Sequence, residues 1–255
     1  EQVLDEQIVL DLSRNSFTRT WAHIYIYDCA TRALMKATGQ DYDTCHEQLY
    51  TKGYRVYTSI DMDTQSLLQQ TIDEQLSDYN TLNPNGTYAL QSSAVCIDNE
   101  TGLVTAIVGG RTQEDILPDY NRAFMSFRQP GSSIKPLLVY TPMLERGYSA
   151  NSTVIDSKEE DGPSNSSGRY SGAISLRTAV EQSKNTVAHK LYRELTPEVG
   201  LSYLLNMNFS SIDEEDYNLA SALGGLTTGA SALEMTAAYA TSANEGAYRL
   251  PTCIT

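Results

Sequence analysis

The sequence predicts an α/β (α+β) fold, an antiparallel sheet flanked by helices together with a largely helical subdomain. Three observations predict it. A strand–turn–strand pattern runs from Ser93 to Val108. Capped helical runs lie on either side, one opening at Asp61 and one at Ser132. From Ser175 to about Asn244 the chain reads as a succession of helices. With 255 residues it can form one large domain or two small ones.

Taken in order, Trp21-Ala22-His23-Ile24-Tyr25-Ile26-Tyr27 fits either a strand or an aromatic helical face, and Ala30 to Thr38 favours helix. Gly53 to Ile60 alternates polar and apolar residues with β-favouring side chains and predicts a strand. Asp61 then caps a helix with Leu67, Leu68, Ile72 and Leu76 on one side, ending near Tyr79 before a loop at Asn80–Thr87. The hairpin follows, with its turn at Asp98-Asn99-Glu100-Thr101-Gly102, and Gly109-Gly110 ends it. Residues 111–127 form a connector. The helix from Ser132 carries Leu137, Leu138, Val139 and Met143, tolerates Pro136 in its first turn, kinks at Pro142 and closes at Gly147. Residues 151–172, rich in Ser, Asp and Gly, predict a mobile loop. Ser175 caps a short helix through Gln182. Ser183-Lys184-Asn185 interrupts it, a second run reaches Leu195, and Thr196-Pro197 starts another through Met207. Ser231-Ala232-Leu233-Glu234 is a capping box for a helix ending near Asn244. Leu250 to Thr255 reads as the start of a strand.

Composition excludes several classes. A formal net charge of −14 and a pI near 4.5, with no basic patch, argue against nucleic-acid binding. No run approaches eighteen apolar residues, so no segment is expected to span a membrane, and no signal peptide is recognisable. The opening at Glu1 reads as the interior of a longer protein. Cys29, Cys45, Cys96 and Cys253 are scattered without CxxC or Cys/His spacing, so no metal or other cofactor is expected and free or buried thiols are the default.

The chemistry concentrates at Arg128-Gln129-Pro130-Gly131-Ser132-Ser133-Ile134-Lys135-Pro136. After the Pro-Gly break Ser132 opens a helix, and positions i and i+3 share a face. A hydroxyl beside an amine at a helix N-terminus suits nucleophilic catalysis, with the lysine taking the proton. The plain alternative is a helix cap followed by an exposed lysine.

The surrounding motifs resemble those of a known family. Asn121-Arg122-Ala123 followed by the Ser132-x-x-Lys135 segment is similar to the active-site segment of class A penicillin-binding proteins, the bifunctional glycosyltransferase–transpeptidases of bacterial cell-wall synthesis. Ala106-Ile107-Val108-Gly109-Gly110-Arg111 resembles their strand before the active-site helix, and Ser183-Lys184-Asn185 their Ser-x-Asn motif. Leu223-Gly224-Gly225 and Gly229 to Ala240 resemble a following helix, and Gly53–Asp61 the strand entering the transpeptidase module. The similarity covers residues 53–255, leaving 1–52 as an inter-module linker. The third family motif, Lys-Thr-Gly, is absent. Thr227-Thr228-Gly229 lacks its lysine, precedes the capping-box helix and reads as a loop. The resemblance thus implies a penicillin-binding-protein/β-lactamase-like acyl-serine fold, C-terminally incomplete and short of strands.

The resemblance also implies a D,D-transpeptidase inhibited by β-lactams, its partners being the D-Ala-D-Ala stem peptides of peptidoglycan and other cell-wall synthesis proteins. Ser132 would be the acyl nucleophile, Lys135 its base, Ser183 a proton relay and Asn185 a substrate-amide ligand. Lys184 is expected to be solvated and His189 structural, while Gln182 and Thr186 flank the motif and are expected to line the cleft. The parent protein would be membrane-anchored, with this module at the extracellular face of the bacterial cytoplasmic membrane. Competing readings are a β-lactam sensor, a β-lactamase-like protein and an inactive scaffold. A lactamase needs a glutamate for deacylation, and Glu159 and Glu160 stand in no matching motif.

Overall fold

The computed structural model of the protein describes residues 19–113, 116 and 118–255. The first eighteen residues of the expected linker, and positions 114, 115 and 117 of the connector, lie outside the described residues.

The aromatic stretch from Trp21 is helical. Helix α1 spans Trp21–Thr38, with the Thr20 hydroxyl accepting from the His23 N–H at its start and Gly39 at its end. After α2 (Tyr42–Thr51), residues 53–60 do not form the expected strand. Only their last positions find a partner, through a bridge between Thr58 and Ile254 and a bond from Ser59 N–H to the Cys253 carbonyl. Tyr57 is 66% exposed, so the alternation marks no half-buried face. Helix α3 (Met62–Gln75) is capped by Asp61 as expected, yet stops short of Tyr79. Its buried side is Gln65 and Ile72, and Leu67 faces outward.

The hairpin forms as the turn chemistry dictates. Strands β1 (Ala94–Ile97) and β2 (Val104–Val108) pair antiparallel, with Ala94 opposite Val108 and a bulge at Cys96/Ile97. Asp98 accepts from the Thr101 N–H at 2.8 Å, and Gly102 takes the left-handed conformation that closes the turn. The outer edge of β2 is met by other groups. Gln65 donates to the Ile107 carbonyl at 3.0 Å and accepts from its N–H at 2.8 Å. Ser59 Oγ donates to the Val104 carbonyl and Asp61 N–H to that of Thr105. Against this hairpin packs a small core of Ala22, Tyr25, Cys29, Ala123 and Cys253, with the Tyr25 and Phe124 rings edge to face at 5.2 Å. Asn121, fully buried, caps the short helix α4 (Arg122–Met125) and donates to the Trp21 carbonyl, fastening α1 to it.

The segment after Pro130 is not a uniform α-helix. Gly131–Ile134 is a 3₁₀ turn, Pro136–Tyr140 a π-helical turn, and Thr141–Glu145 the α-helix α5. Pro136 has no N–H to give, and its carbonyl accepts from Thr141 N–H instead. Pro142 sits in the first turn of α5, where a proline fits, and Gly147 ends the run. Ile134, Leu138, Val139 and Met143 are wholly buried, matching the apolar character read from the sequence.

The segment 151–172, expected to be one mobile loop, instead contains a strand and runs into another. Strands β3 (Thr153–Asp156) and β4 (Gly172–Ser175) form a second antiparallel pair, with Asp156 opposite Gly172. The intervening loop is tied down by side chains. Asn165 donates to Asp156 at 2.6 Å, and Lys190 Nζ donates to the Ser157 carbonyl and hydroxyl. Ser and Asn act here as partners of buried groups rather than as solvated turn residues.

The helical subdomain follows the sequence closely. Its helices are α6 (Leu176–Glu181, capped by Ser175), α7 (Asn185–Leu195), α8 (Pro197–Asn206) and α9 (Ala232–Ala243). The last opens with the capping box of Ser231 and Glu234. The main core joins the 134–143 segment to α6, α7 and α8, with Tyr192, Leu195, Leu201 and Leu204 fully buried. The last residues make isolated bridges, Leu103 with Thr252 and Thr58 with Ile254, rather than a strand.

Because Leu138 is completely enclosed in that core, Leu138→Ala should destabilise the protein by about 2–5 kcal/mol. Urea unfolding measures this. A loss below about 0.5 kcal/mol, the size of an ordinary surface substitution, would contradict the packing described.

Candidate active site

The site forms where the 3₁₀ turn meets the break between α6 and α7. Ser132 lies on the turn, its side chain exposed to solvent. Residues three apart eclipse one another in a 3₁₀ helix, which places Lys135 in line behind Ser132. Lys135 itself is 1% exposed. Its Nζ donates to the Ser183 carbonyl (2.9 Å), the Ser183 hydroxyl (3.1 Å) and the Asn185 side-chain oxygen (2.6 Å). Three of the four candidate residues, Lys135, Ser183 and Asn185, therefore meet at one place, and among the described residues no hydrogen bond joins Lys135 to the Ser132 hydroxyl. The amine is held instead by Ser183 and Asn185.

Burial disfavours the ammonium form and lowers the Lys135 pKa from 10.5 to about 8. At that value a substantial neutral fraction exists near physiological pH. As a neutral amine, Nζ has two protons to donate and one lone pair. That lone pair is what can accept a proton.

Two devices hold the Ser132 turn. Tyr239, from α9, donates its hydroxyl to the Ser133 carbonyl at 2.7 Å, and Ser133 Oγ donates to the Pro130 carbonyl at 2.7 Å. The loop 224–230 presses against the same segment. Arg128 and Ala230 exchange backbone bonds at 3.1 and 2.9 Å, and Gln129 donates to the Leu226 carbonyl. Gly224, in the left-handed region, lies directly on the Gly131 backbone, where a Cβ would collide with Gly131 main-chain atoms. Thr227-Thr228-Gly229 belongs to this loop, as its lack of lysine suggested.

Ser183 is one of the few non-glycine residues with a positive φ, at 49°. What holds it there is buried and polar. The sequence predicts a solvated Lys184, but it is only 5% exposed and paired with the fully buried Asp156 at 2.8 Å. The alternation of the break turns its side chain inward while Ser183 faces out. Thr186 also points inward, donating to Asp156 at 2.6 Å, whereas Gln182 is exposed. Asn185 donates to the Ser164 carbonyl, orienting its amide so that its oxygen meets Lys135. Burial alone would raise the Asp156 carboxyl; the Lys184 ammonium, Thr186, Asn165 and Ser171 N–H outweigh it and hold the group well below the usual carboxylate range. His189 lies buried on α7, with Nδ1 3.7 Å from Glu159. Glu159 is engaged by Arg193 at 2.9 Å, and this pairing lowers its pKa.

Sequence reasoning missed Asp156, Tyr239 and the pressure of Gly224. Asp156 sits in Val154-Ile155-Asp156 with no local signature. Gly224 was visible only as part of a motif without an assigned contact.

With this geometry in hand, the comparison with known sequences is direct. The family model of the penicillin binding protein transpeptidase domain matches residues 92–255. The chain belongs to this family. Among curated relatives it is 32% identical over 229 residues to penicillin-binding protein 4 of Bacillus subtilis, covering 85% of this chain and 35% of that protein. It is 30% identical to penicillin-binding protein 1A of Clostridium acetobutylicum, covering 93% and 31%. The chain thus spans about a third of the length of these relatives. Among solved structures, the penicillin-binding protein PonA1 of Mycobacterium tuberculosis shares the fold at a TM-score of 0.72 and 25% identity, over 90% of this chain and 59% of that one. Penicillin-binding protein 1A of Haemophilus influenzae aligns at 0.71 and 22% identity, over 91% and 47%. The fold is that of the penicillin-binding transpeptidases.

Because Gly224 combines a left-handed backbone with contact on Gly131, Gly224→Ala should cost about 1–3 kcal/mol of stability. Thermal or urea unfolding tests it; an unchanged midpoint would show that the loop does not bear on the Ser132 turn.

Proposed function

We propose that this chain carries the acylation centre of a serine D,D-transpeptidase that cross-links peptidoglycan stem peptides, and that β-lactams acylate the same serine. In this reading Ser132 Oγ attacks the carbonyl between the two terminal D-alanines. The new C–O bond replaces the C–N bond, D-alanine leaves with the proton, and an amine from a neighbouring stem later takes the acyl group. Lys135 accepts the Ser132 proton, Ser183 relays it to the leaving amine, and Asn185 holds the substrate amide. The Ser132 backbone N–H supplies one donor to the tetrahedral oxyanion.

One observation carries the reading. The Lys135 amine is buried, has a pKa near 8, and is held by Ser183 and Asn185 behind an exposed Ser132. A surface lysine with a helix cap beside it has none of these properties. Family membership supports the reaction class, and a related fold is known in complex with penicillin V, in PonA1 of Mycobacterium tuberculosis. The lactamase reading loses support because Glu159 faces Arg193 and His189 rather than the serine.

The organisation follows from the same reading. Residues 53–255 form the transpeptidase module and 1–52 a segment joining it to another module, with α1 docked on the hairpin. Among the described residues no helix is long and apolar enough to cross a membrane. In the same reading the parent protein is anchored to the bacterial cytoplasmic membrane, with this module at its extracellular face among other cell-wall synthesis proteins.

Incubation with a fluorescent penicillin tests the proposal. A covalent adduct should form and persist, and Ser132→Ala should abolish it. Its formation rate should rise with pH through about 8, as the Lys135 amine loses its proton. In Lys135→Ala the rate should fall by about 10²–10⁴. A protein that forms no adduct would sink the transpeptidase reading, and rapid loss of the adduct would favour a lactamase. A Lys135→Ala variant with the native rate would remove the lysine from its role.

A further inference from the structure

The buried polar cluster beneath Ser183 and Asn185 has no part in the reaction just described, although it is built around a charge. Asp156 is 0% exposed and comes from the end of β3, a different element from the helices that bear the site. Four donors converge on it. They are Lys184 Nζ at 2.8 Å, Thr186 Oγ1 at 2.6 Å, Asn165 Nδ2 at 2.6 Å and the Ser171 N–H at 2.8 Å. Lys184 Nζ also donates to Ser171 Oγ at 3.1 Å, and the Asn165 side-chain oxygen accepts from the Thr186 N–H at 3.3 Å. Every member is thus satisfied, the condition under which a buried polar network rigidifies its surroundings.

Its placement in the chain is what matters. Lys184 and Thr186 alternate with Ser183 and Asn185. When the first pair is drawn inward to Asp156, the second pair is turned to the opposite side, where both meet the Lys135 amine. A left-handed serine has little intrinsic preference for its conformation, so the surroundings must impose it. Lys184 is not needed for solubility at this spot, and an apolar residue would fill a buried position at lower cost.

We propose that Asp156 is a positioning residue for this site. By anchoring Lys184 and Thr186 it fixes the Ser183–Asn185 turn, and through that turn it sets the position and surroundings of the Lys135 amine. The inference rests on the acylation centre proposed above but does not need it to be active, because the state of Lys135 can be observed directly.

The test follows the Lys135 Cε resonance in protein labelled with ¹³C-lysine, assigned by its loss in Lys135→Arg, across a pH titration. Wild-type Lys135 should titrate near pH 8. In Asp156→Asn, which keeps shape and loses the charge, the midpoint should rise by at least about one unit as the turn loosens and water reaches the amine. Thr186→Val, a milder change, should give a smaller rise in the same direction and serves if Asp156→Asn does not fold. Penicillin acylation near neutral pH should fall about tenfold per unit of that rise, tracking the neutral fraction. A folded Asp156→Asn or Thr186→Val protein with lower thermal stability but an unmoved Lys135 midpoint would make the cluster merely structural and overturn the proposal. A moved midpoint in a protein that never forms an adduct would uphold the positioning role while discarding the transpeptidase reading.

Discussion

The three contacts of the Lys135 amine join the segment that bears Ser132 to the break between α6 and α7. The lysine rises from the segment that follows the 3₁₀ turn. Its partners belong to the break between two helices of the helical subdomain. Burial makes the ammonium costly, and the oxygens of Ser183 and Asn185 offset part of that cost. The balance leaves an amine that can lose a proton near neutrality. Move either partner away and the lysine becomes an ordinary buried cation seeking another acceptor. Remove the burial and it becomes an ordinary surface cation. Its chemistry exists only while the lysine segment and the Ser183–Asn185 break are packed together.

The two sides of the site are held by different physics. On the serine side, control is steric and main-chain. Gly224 lies on Gly131, Arg128 and Ala230 exchange backbone bonds, and Tyr239 grips a carbonyl. Such contacts fix position without adding charge near the exposed hydroxyl. On the Ser183–Asn185 side, control comes from a desolvated ion pair and its hydrogen bonds. A buried pair of this kind contributes little net stability compared with apolar packing, but it specifies one arrangement strongly, because any other leaves a charge unpaired. The division suits a site in which the nucleophile must stay accessible while its proton acceptor stays dry.

The sequence carried those features whose cause is local. Asp98 and Gly102 define a turn that allows few alternatives, so the hairpin was legible. Ser231 and Glu234 satisfy each other's helix terminus, so α9 was legible too. Ser132 and Lys135 were legible as a spacing, and the family resemblance gave that spacing a meaning. What was not legible depends on partners far along the chain. Lys184 reads as a surface residue until Asp156 is placed beneath it. Trp21 to Tyr27 has the composition of a strand and becomes a helix because Tyr25 and Cys29 pack on the hairpin. Residues 53–60 alternate correctly, yet they find a partner only at their far end. The site's outline could be drawn from the sequence; its underpinning required the fold.

The edge of β2 has a consequence for how this sheet can grow. Gln65 answers both the N–H and the carbonyl of Ile107, while Ser59 and Asp61 answer Val104 and Thr105. A side-chain amide, two loop residues and the Thr252 carbonyl, which accepts from the Val104 N–H, thus do the work of a neighbouring strand and close that side to any other chain. Among the described residues no backbone group meets the far edge of β1. The sheet is therefore one-sided. It can accept a new strand only alongside β1, so the glutamine that blocks one edge also fixes the direction of assembly.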